Sequence, residues 1–498
     1  MSGTAEPHGM SSDAPGAGPL RWTGFAGALL LTGGAWAVLV LPASVPALAA
    51  GVTGTGLLVL AWASTGRRVL RGVPPSPGWS VRTLGLWAAP LLVAPPLFSR
   101  DVFSYLAQGE IAHRGLDPHL VGPRAVLGTS SGPGALVDGH WVDTPSPYGP
   151  LFTALARGVA AIAGEDPVAG VALHRLLAVA GLVLLVLAVP RLCALSGASP
   201  AVAMWLGPGN PLVLWHLVGG VHNDALMLGL GLAGTALGLQ ALDGARDRIG
   251  WARLGAGVLL VSLGALVKLP VLAALAVVGT ALARRRGGTL GGFVAAGFGG
   301  AAAFAAVASV TSVLTGTGFG WMRSVGTPGM LWSWMAPTNW FGFAVGGIGA
   351  LFGADLTAPM IAAGRVAGTV LAVAGIAFVL YRQLHGRIDP VPACGAVLGL
   401  IVVFGPVLHP WYLLWAVLPL AASPLTTRAH TRIAVVSGVF AVLLPPLAGD
   451  HGDRPGTLVA GYATAALIVG IAFVLLLRRE PTPERAPARD GGGTGPPV

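Results

Sequence analysis

Between Arg21 and Leu477 the chain is a succession of apolar runs separated by turns in which arginine is the recurrent charge. In hydrocarbon every backbone N–H and C=O must find its partner inside the segment or in a closed barrel. Runs of this kind therefore predict membrane-spanning helices. Only 10% of the 498 residues are charged while 54% are hydrophobic, against about a quarter charged in soluble domains. Mean hydropathy is +0.76. The apolar runs never pause long enough for a soluble domain, so the expected fold is an all-α polytopic membrane protein.

Orientation follows from the arginines. Short basic turns stay in the cytoplasm, and Arg67, Arg68 and Arg71 place the turn after the second run there. Carrying this along the chain predicts about fourteen spans with both ends cytoplasmic: 21–41, 47–64, 81–98, 170–189, 200–218, 225–242, 254–267, 270–283, 290–314, 358–381, 392–407, 413–422, 433–447 and 458–477. The segment Tyr148 to Ala163 is apolar but short, and is assigned to a helix on the outer surface. If it spanned, Arg191, the Asp243 to Arg253 cluster with Arg246 and Arg248, and Arg284-Arg285-Arg286 would all fall outside. Phe341 to Phe352 is assigned to a re-entrant or surface segment. The membrane domain is expected over 20–477, with Gly/Pro-rich disordered cytoplasmic tails at 1–19 and 478–498. The N-terminal tail lacks the basic cluster and short apolar core of a cleavable signal. The net charge of +10 is spread over topology-setting turns and forms no contiguous basic face, which argues against a nucleic-acid partner. Cys193 and Cys394 are too few for a disulfide framework.

The longest polar region, 99–168, opens where the run 81–98 stops, on Ser99-Arg100-Asp101-Val102-Phe103-Ser104-Tyr105. Asp101 is thus a carboxylate at the mouth of a membrane helix, and is expected to be the acid-base residue of a membrane enzyme. The same topology gathers the other polar interruptions on the outer face: His222-Asn223-Asp224, Lys268, Arg323, Asn339 and His409. Lys268 is the only lysine in the chain, which favours a phosphate contact over headgroup snorkelling. Asn223 or Asp224 equally suits the N-cap of the helix that follows, a position that also attracts anions. His409-Pro410-Trp411-Tyr412 reads equally as an interfacial aromatic cluster, and Trp332, Trp334 and Trp340 read as interface anchors. No HExxH, paired CxxC or phosphate loop occurs. Metal ligation by His222, Asp224 and His409 lacks a tight spacing.

With these residues in hand, the chain resembles the integral-membrane glycosyltransferases of the GT-C class that use polyprenyl-phosphate sugars. More closely, it is similar to the actinobacterial polyprenol-phosphate-mannose-dependent α-1,6-mannosyltransferases of the lipomannan core. The matching stretches are Ser99 to Tyr105, Asp143 to Pro150, Asn210-Pro211-Leu212-Val213 through His222-Asn223-Asp224, Val267 to Pro270, and His409 to Tyr412. The resemblance implies a GT-C-like bundle whose first long outer loop carries the catalytic residue. That class usually places the loop after its first helix; here it follows the third expected span. It implies a plasma-membrane enzyme acting on the extracytoplasmic side, with a polyprenyl-phosphate mannose donor, a lipid-linked mannan acceptor, and no cofactor or metal. Asp101 would be the base, and Lys268, with His222 or His409, would cradle the departing phosphate. Tyr105, Glu110, Tyr148, Asn223, Asp224, Trp411 and Tyr412 would complete substrate binding. A related transferase of another sugar, such as arabinose, is equally compatible with the residues. A lipid or solute transporter would instead require charges near the bilayer midplane and repeat-related broken helices.

Overall fold

The computed structural model describes residues 18–130, 132–244, 247–446 and 454–479. Most of the two tails and Arg246 lie outside the described residues. Nineteen α-helices and a few shorter turns make up the described chain, with no strand among them.

The first three helices are α1 (Gly18–Val40), α2 (Val45–Leu70) and α3 (Pro77–Leu91). α1 and α2 form a hairpin whose backbones touch: a Cβ on Gly34 would lie 2.4 Å from the nitrogen of Gly51, the small-residue packing that membrane helices favour. The third span ends earlier than the run 81–98 implies. Pro95 and Pro96 cannot continue a helix, and the chain unwinds after Leu91 before turning into α4 (Asp101–His113).

The outer loop then contains α5 (Pro123–Leu127), α6 (Gly132–Leu136) and α7 (Pro150–Ala163). α7, at about 21 Å, is too short to cross a bilayer. Its buried residues Phe152, Thr153, Ala156, Val159 and Ala160 recur at helical spacing, so one face packs inward, chiefly on α4.

α8 (Pro167–Ser196) returns, capped by Asp166, and α9 (Pro200–Leu206) follows. The expected span 200–218 is not one helix. Gly207-Pro208-Gly209-Asn210-Pro211 interrupts it, and a π-helical turn over Val213–Gly219 completes the crossing. Asn210 holds the break: its Nδ2 donates to Leu206 O at 3.1 Å and to Ser437 Oγ at 3.0 Å, and its Oδ1 accepts from Leu212 N at 3.0 Å.

The remainder is α10 (Asp224–Asp243), α11 (Arg248–Ala265), a 3₁₀ turn Leu269–Leu272, α12 (Ala273–Arg285) and α13 (Leu290–Thr315). After a loop come α14 (Pro337–Leu351), α15 (Thr357–Leu384) and α16 (Pro390–Phe404). A 3₁₀ turn Pro410–Tyr412, α17 (Leu413–Ala421), α18 (Thr427–Leu443) and α19 (Pro455–Arg479) close the chain. The segment around 341–352 is α14, packed on α15 as a helical hairpin.

Among the described residues, seven helices are long and apolar enough to cross a membrane: α1, α2, α8, α10, α13, α15 and α19. The other seven expected spans fall on shorter, broken or less apolar helices. α13, α15 and α19 leave Val313, Phe378 and Leu467 uncovered, which suits helices whose solvent is lipid.

Three helices carry the polarity of the molecule. α10 runs from Asp224 to Asp243, α12 from just after Lys268 to Arg285, and α16 from just after Asp389 towards His409. At one end Arg285 meets Asp243 at 3.1 Å and Arg284 meets Asp389 at 3.7 Å. At the other end lie Asp224, Lys268 and His409. The arginine turns and the rare ionisable groups are therefore separated by about 30 Å along α10.

Candidate active site

Two backbone irregularities deliver the site. Phe98 and Val221 have φ of 60° and 59°, the only described non-glycine residues with positive φ. A β-branched residue in the left-handed region is a genuine outlier, and such strain clusters at functional sites. Phe98 precedes Asp101 by one turn of chain, and Val221 precedes His222 directly. The two segments are tied together, with Leu97 N donating to Gly219 O at 3.2 Å. Arg175, buried inside the expected span 170–189, clamps both. Its guanidinium donates to Leu92 O at 2.7 Å, Ala94 O at 2.9 Å, and Val218 O and Gly219 O at 3.2 Å each.

Asp101 opens α4, and Ser99 Oγ accepts its backbone N–H at 3.1 Å. Its side chain, 22% exposed, lines a cavity of about 340 Å³, a size usual for small-ligand sites. Burial raises the carboxyl to about 6, against the opposing pull of Ser99 and of the Lys268 charge.

Lys268 lines the same cavity. Its Nζ donates to Asp224 Oδ2 at 2.8 Å and stands 4.5 Å from the ring centroid of Tyr412 and 5.5 Å from that of Trp415. The second oxygen of Asp224 accepts Trp415 Nε1–H at 2.7 Å. Asp224 has no exposed surface and does not line the cavity, so it anchors Lys268 from behind.

His409, Tyr412 and Tyr148 also line the cavity. Trp411 lies behind them, stacked with two imidazoles: His409 at 4.5 Å and 4°, His222 at 3.8 Å and 23°. Tyr148 is positioned by the loop that carries it. His119, missed in the sequence, bridges Asp117 Oδ1 and the Tyr148 carbonyl at 2.9 Å each. Gly149 packs directly on the Leu266 carbonyl, where a Cβ would come within 2.2 Å. That close approach joins the outer loop to the segment leading into Lys268. Trp141, Trp321 and Trp415 complete the aromatic lining and were likewise not anticipated.

Besides Asp224, five expected site residues do not reach the cavity wall. Tyr105 is buried behind it against Tyr148 and Phe152, edge to face at 5.2 and 5.0 Å. Glu110 lies nine residues along α4 from Asp101, about 13 Å, and pairs with Arg114 at 2.7 Å. His222, Asn223 and Trp411 are buried beside the cavity and do not line it. Asn339 is structural: it is fully buried, its amide donates to Ser333 O and Pro406 O, and its oxygen accepts from Arg365. Arg323 is exposed. Among the described residues no three His, Cys, Asp or Glu side chains come together as a metal cluster.

The cavity thus holds a carboxylate able to accept a proton near neutral pH, an ammonium fixed by a buried counter-ion, and otherwise aromatic and apolar walls. Its contents suit a ligand that carries an anionic group and an apolar portion.

A family model described as alpha-(1->6)-mannopyranosyltransferase, N-terminal domain, matches residues 21–284, and one described as MptB C-terminal domain matches residues 338–476. A probable alpha-(1->6)-mannopyranosyltransferase of Mycolicibacterium smegmatis is 39% identical over 478 residues, covering 91% of this chain and 85% of the relative. An alpha-(1->6)-mannopyranosyltransferase of Mycobacterium tuberculosis is 37% identical, covering 89% and 82%. Alpha-(1->6)-mannopyranosyltransferase B of Corynebacterium glutamicum is 34% identical, covering 86% and 74%. No solved structure matches the chain. The first family model alone spans more than half of the sequence and the relatives align over most of it, so the chain belongs to the alpha-(1->6)-mannopyranosyltransferase family.

Proposed function

We propose that this protein transfers mannose from polyprenyl-phosphate mannose to a hydroxyl of a lipid-linked mannan, forming an α-1,6 bond on the extracytoplasmic face of the plasma membrane. The observation that carries the reading is the placing of Asp101 and Lys268 on one cavity whose remaining wall is apolar and aromatic. The names of the relatives supply the sugar and the linkage; the cavity's mixed lining supports a lipid-phosphate carrier.

The roles follow from the chemistry. Asp101 takes the proton of the attacking hydroxyl as its oxygen bonds to the anomeric carbon. The bond from that carbon to the phosphate oxygen breaks, and its electron pair leaves with the lipid phosphate. Lys268, already neutralised in part by Asp224, offsets the charge that develops there, and His409 and Tyr412 flank it. A single displacement converts a β-linked donor into an α-linked product. The carrier's tail stays in the membrane, reaching the cavity past the apolar wall of α16, where Ile401 and Val402 line it. The arginine ends of α10, α12 and α16 support a cytoplasmic assignment for the opposite face.

The test is transfer from polyprenyl-phosphate mannose in proteoliposomes, with polyprenyl-phosphate arabinose as the competing donor. Asp101→Asn is expected to lower kcat by about 10²–10⁴, and Lys268→Ala to raise the donor KM. Undiminished transfer by Asp101→Asn, or preference for the arabinosyl donor, overturns the reading.

A further inference from the structure

The placing of His222 does not fit the phosphate-binding role that its neighbourhood first suggests. Its side chain has no exposed surface and is absent from the cavity wall. Its Nδ1 stands 3.5 Å from Asp101 Oδ2, just outside hydrogen-bond geometry. Neither ring nitrogen has a hydrogen-bond partner among the described residues. The ring plane is fixed, because its face stacks on Trp411 at 3.8 Å and the indole is backed by His409. Its backbone is fixed too: His222 N donates to His216 O at 3.2 Å, directly after the strained Val221.

A buried imidazole that is clamped by its face can act only through its edge, and that edge points at the carboxylate. A buried donor without a partner is costly to leave unmade, and a closure of a few tenths of an ångström supplies one. We infer that His222 is the positioning residue of the base: its Nδ1–H holds Asp101 Oδ2, which leaves Oδ1 turned to the acceptor hydroxyl in the cavity. The inference rests on Asp101 being the base. It assigns the phosphate to Lys268 and His409 alone.

Burial and the neighbouring Lys268 charge both oppose protonation of His222, so the ring is neutral and its Nδ1 is free to carry the single proton towards the carboxylate. The titratable groups that face the pair are Lys268, Asp224, Asp138, Tyr105, Tyr148, Tyr412, His216 and His409, and all are left in place by the variants that follow.

Three substitutions in the full-length protein separate the possibilities, measured as kcat, donor KM and pH profile in proteoliposomes. His222→Phe keeps a ring on Trp411 and removes both nitrogens. It is expected to lower kcat by about 10- to 100-fold with little change in donor KM, and to move the acid limb of the profile upward, because a carboxylate that loses a donor binds its proton more tightly. His222→Asn places an amide N–H near the former Nδ1 and is expected to recover most of kcat. His222→Gln places it near Nε2 and is not. If Phe destabilises the fold, the Asn and Gln pair carries the comparison. A raised donor KM with unchanged kcat would return His222 to the phosphate. Equal impairment of Asn and Gln with an unmoved limb would reduce it to packing. Asp101→Asn, run alongside, keeps the two readings apart. Loss of activity there with an indifferent His222→Phe overturns only this role, whereas surviving activity removes the base itself.

Discussion

Asp101 is held partly out of water beside an ammonium whose ion pair goes to a different carboxylate, Asp224. Burial therefore dominates and lifts its pKa to about 6. As the proposed base, Asp101 works only when ionised, so kcat/KM is expected to rise with pH through about 6 and level off above it. An unperturbed carboxylate would leave the rate flat down to about 4. Initial rates from pH 4.5 to 8 decide this; a flat profile across 5 to 7 would show that no group with this pKa carries the proton. The same shift has a stability consequence of opposite sign. The folded state holds this proton more tightly than the unfolded chain, so the stabilisation is complete below about 4 and lost as pH rises through about 6. At pH 7.5 the ionised side chain then costs up to ~3 kcal/mol, at 1.36 kcal/mol per pKa unit. Asp101→Asn is expected to melt above the wild type at pH 7.5, with the gap closing towards pH 4.5. A gap that stays constant with pH would trace it to something other than ionisation.

Arg175 acts at the scale of elements, because it is where three of them meet: α8, the unwound end of α3 and the π-helical turn. Four carbonyls, of which Gly219 O also accepts from Leu97 N, take hydrogen bonds from one planar fork, a geometry that a lysine ammonium does not reproduce. Arg175→Gln is expected to cost about 2–4 kcal/mol, because a buried carbonyl left without its donor costs about 1–3 kcal/mol, and Arg175→Lys to recover only part of it; melting temperature in detergent measures both. A loss below ~1 kcal/mol would mean that the Phe98 and Val221 segments hold their shape unaided. The signal for Arg175 was present in the sequence, since a charge inside the run 170–189 needs a reason, but its partners are backbone carbonyls, which no side-chain pattern announces. The break in 200–218 was written in Gly207-Pro208-Gly209-Asn210-Pro211 and masked by the hydrophobicity on either side. Asp101, Lys268 and His409 were legible because an isolated ionisable group in an apolar chain is conspicuous wherever it falls. The stack of His222, Trp411 and His409 was not, because it joins segments nearly two hundred residues apart. Tyr105 and Glu110 were misplaced for the opposite reason: closeness in sequence to Asp101 means little once α4 carries them behind the cavity or along its axis.

For the whole molecule, the informative quantity is the distance between two sets of charges. The arginine turns oriented the chain by a rule that knows nothing of catalysis, and the fold separates those turns from Asp101, Lys268 and His409 along three helices of different sequence. α10 alone supplies about 30 Å, the thickness of the hydrocarbon core. Under the proposed function, a cavity at one end of such helices would be reached by the lipid-borne donor from one leaflet only. Sidedness is directly measurable, because Cys193 and Cys394 are both buried and leave a quiet background. Asp143, exposed on the loop beside the cavity, and Arg286, exposed at the end of α12, are replaced singly by cysteine. A membrane-impermeant maleimide applied to intact cells is expected to label Asp143→Cys at once and Arg286→Cys only after permeabilisation. Labelling of both from outside would place the arginine turns and the cavity in one compartment. Labelling of Arg286→Cys alone would invert the protein and put the lipid-linked donor on the cytoplasmic leaflet. Only the first pattern agrees with the proposed transfer on the outer face, with Asp101 meeting its acceptor there.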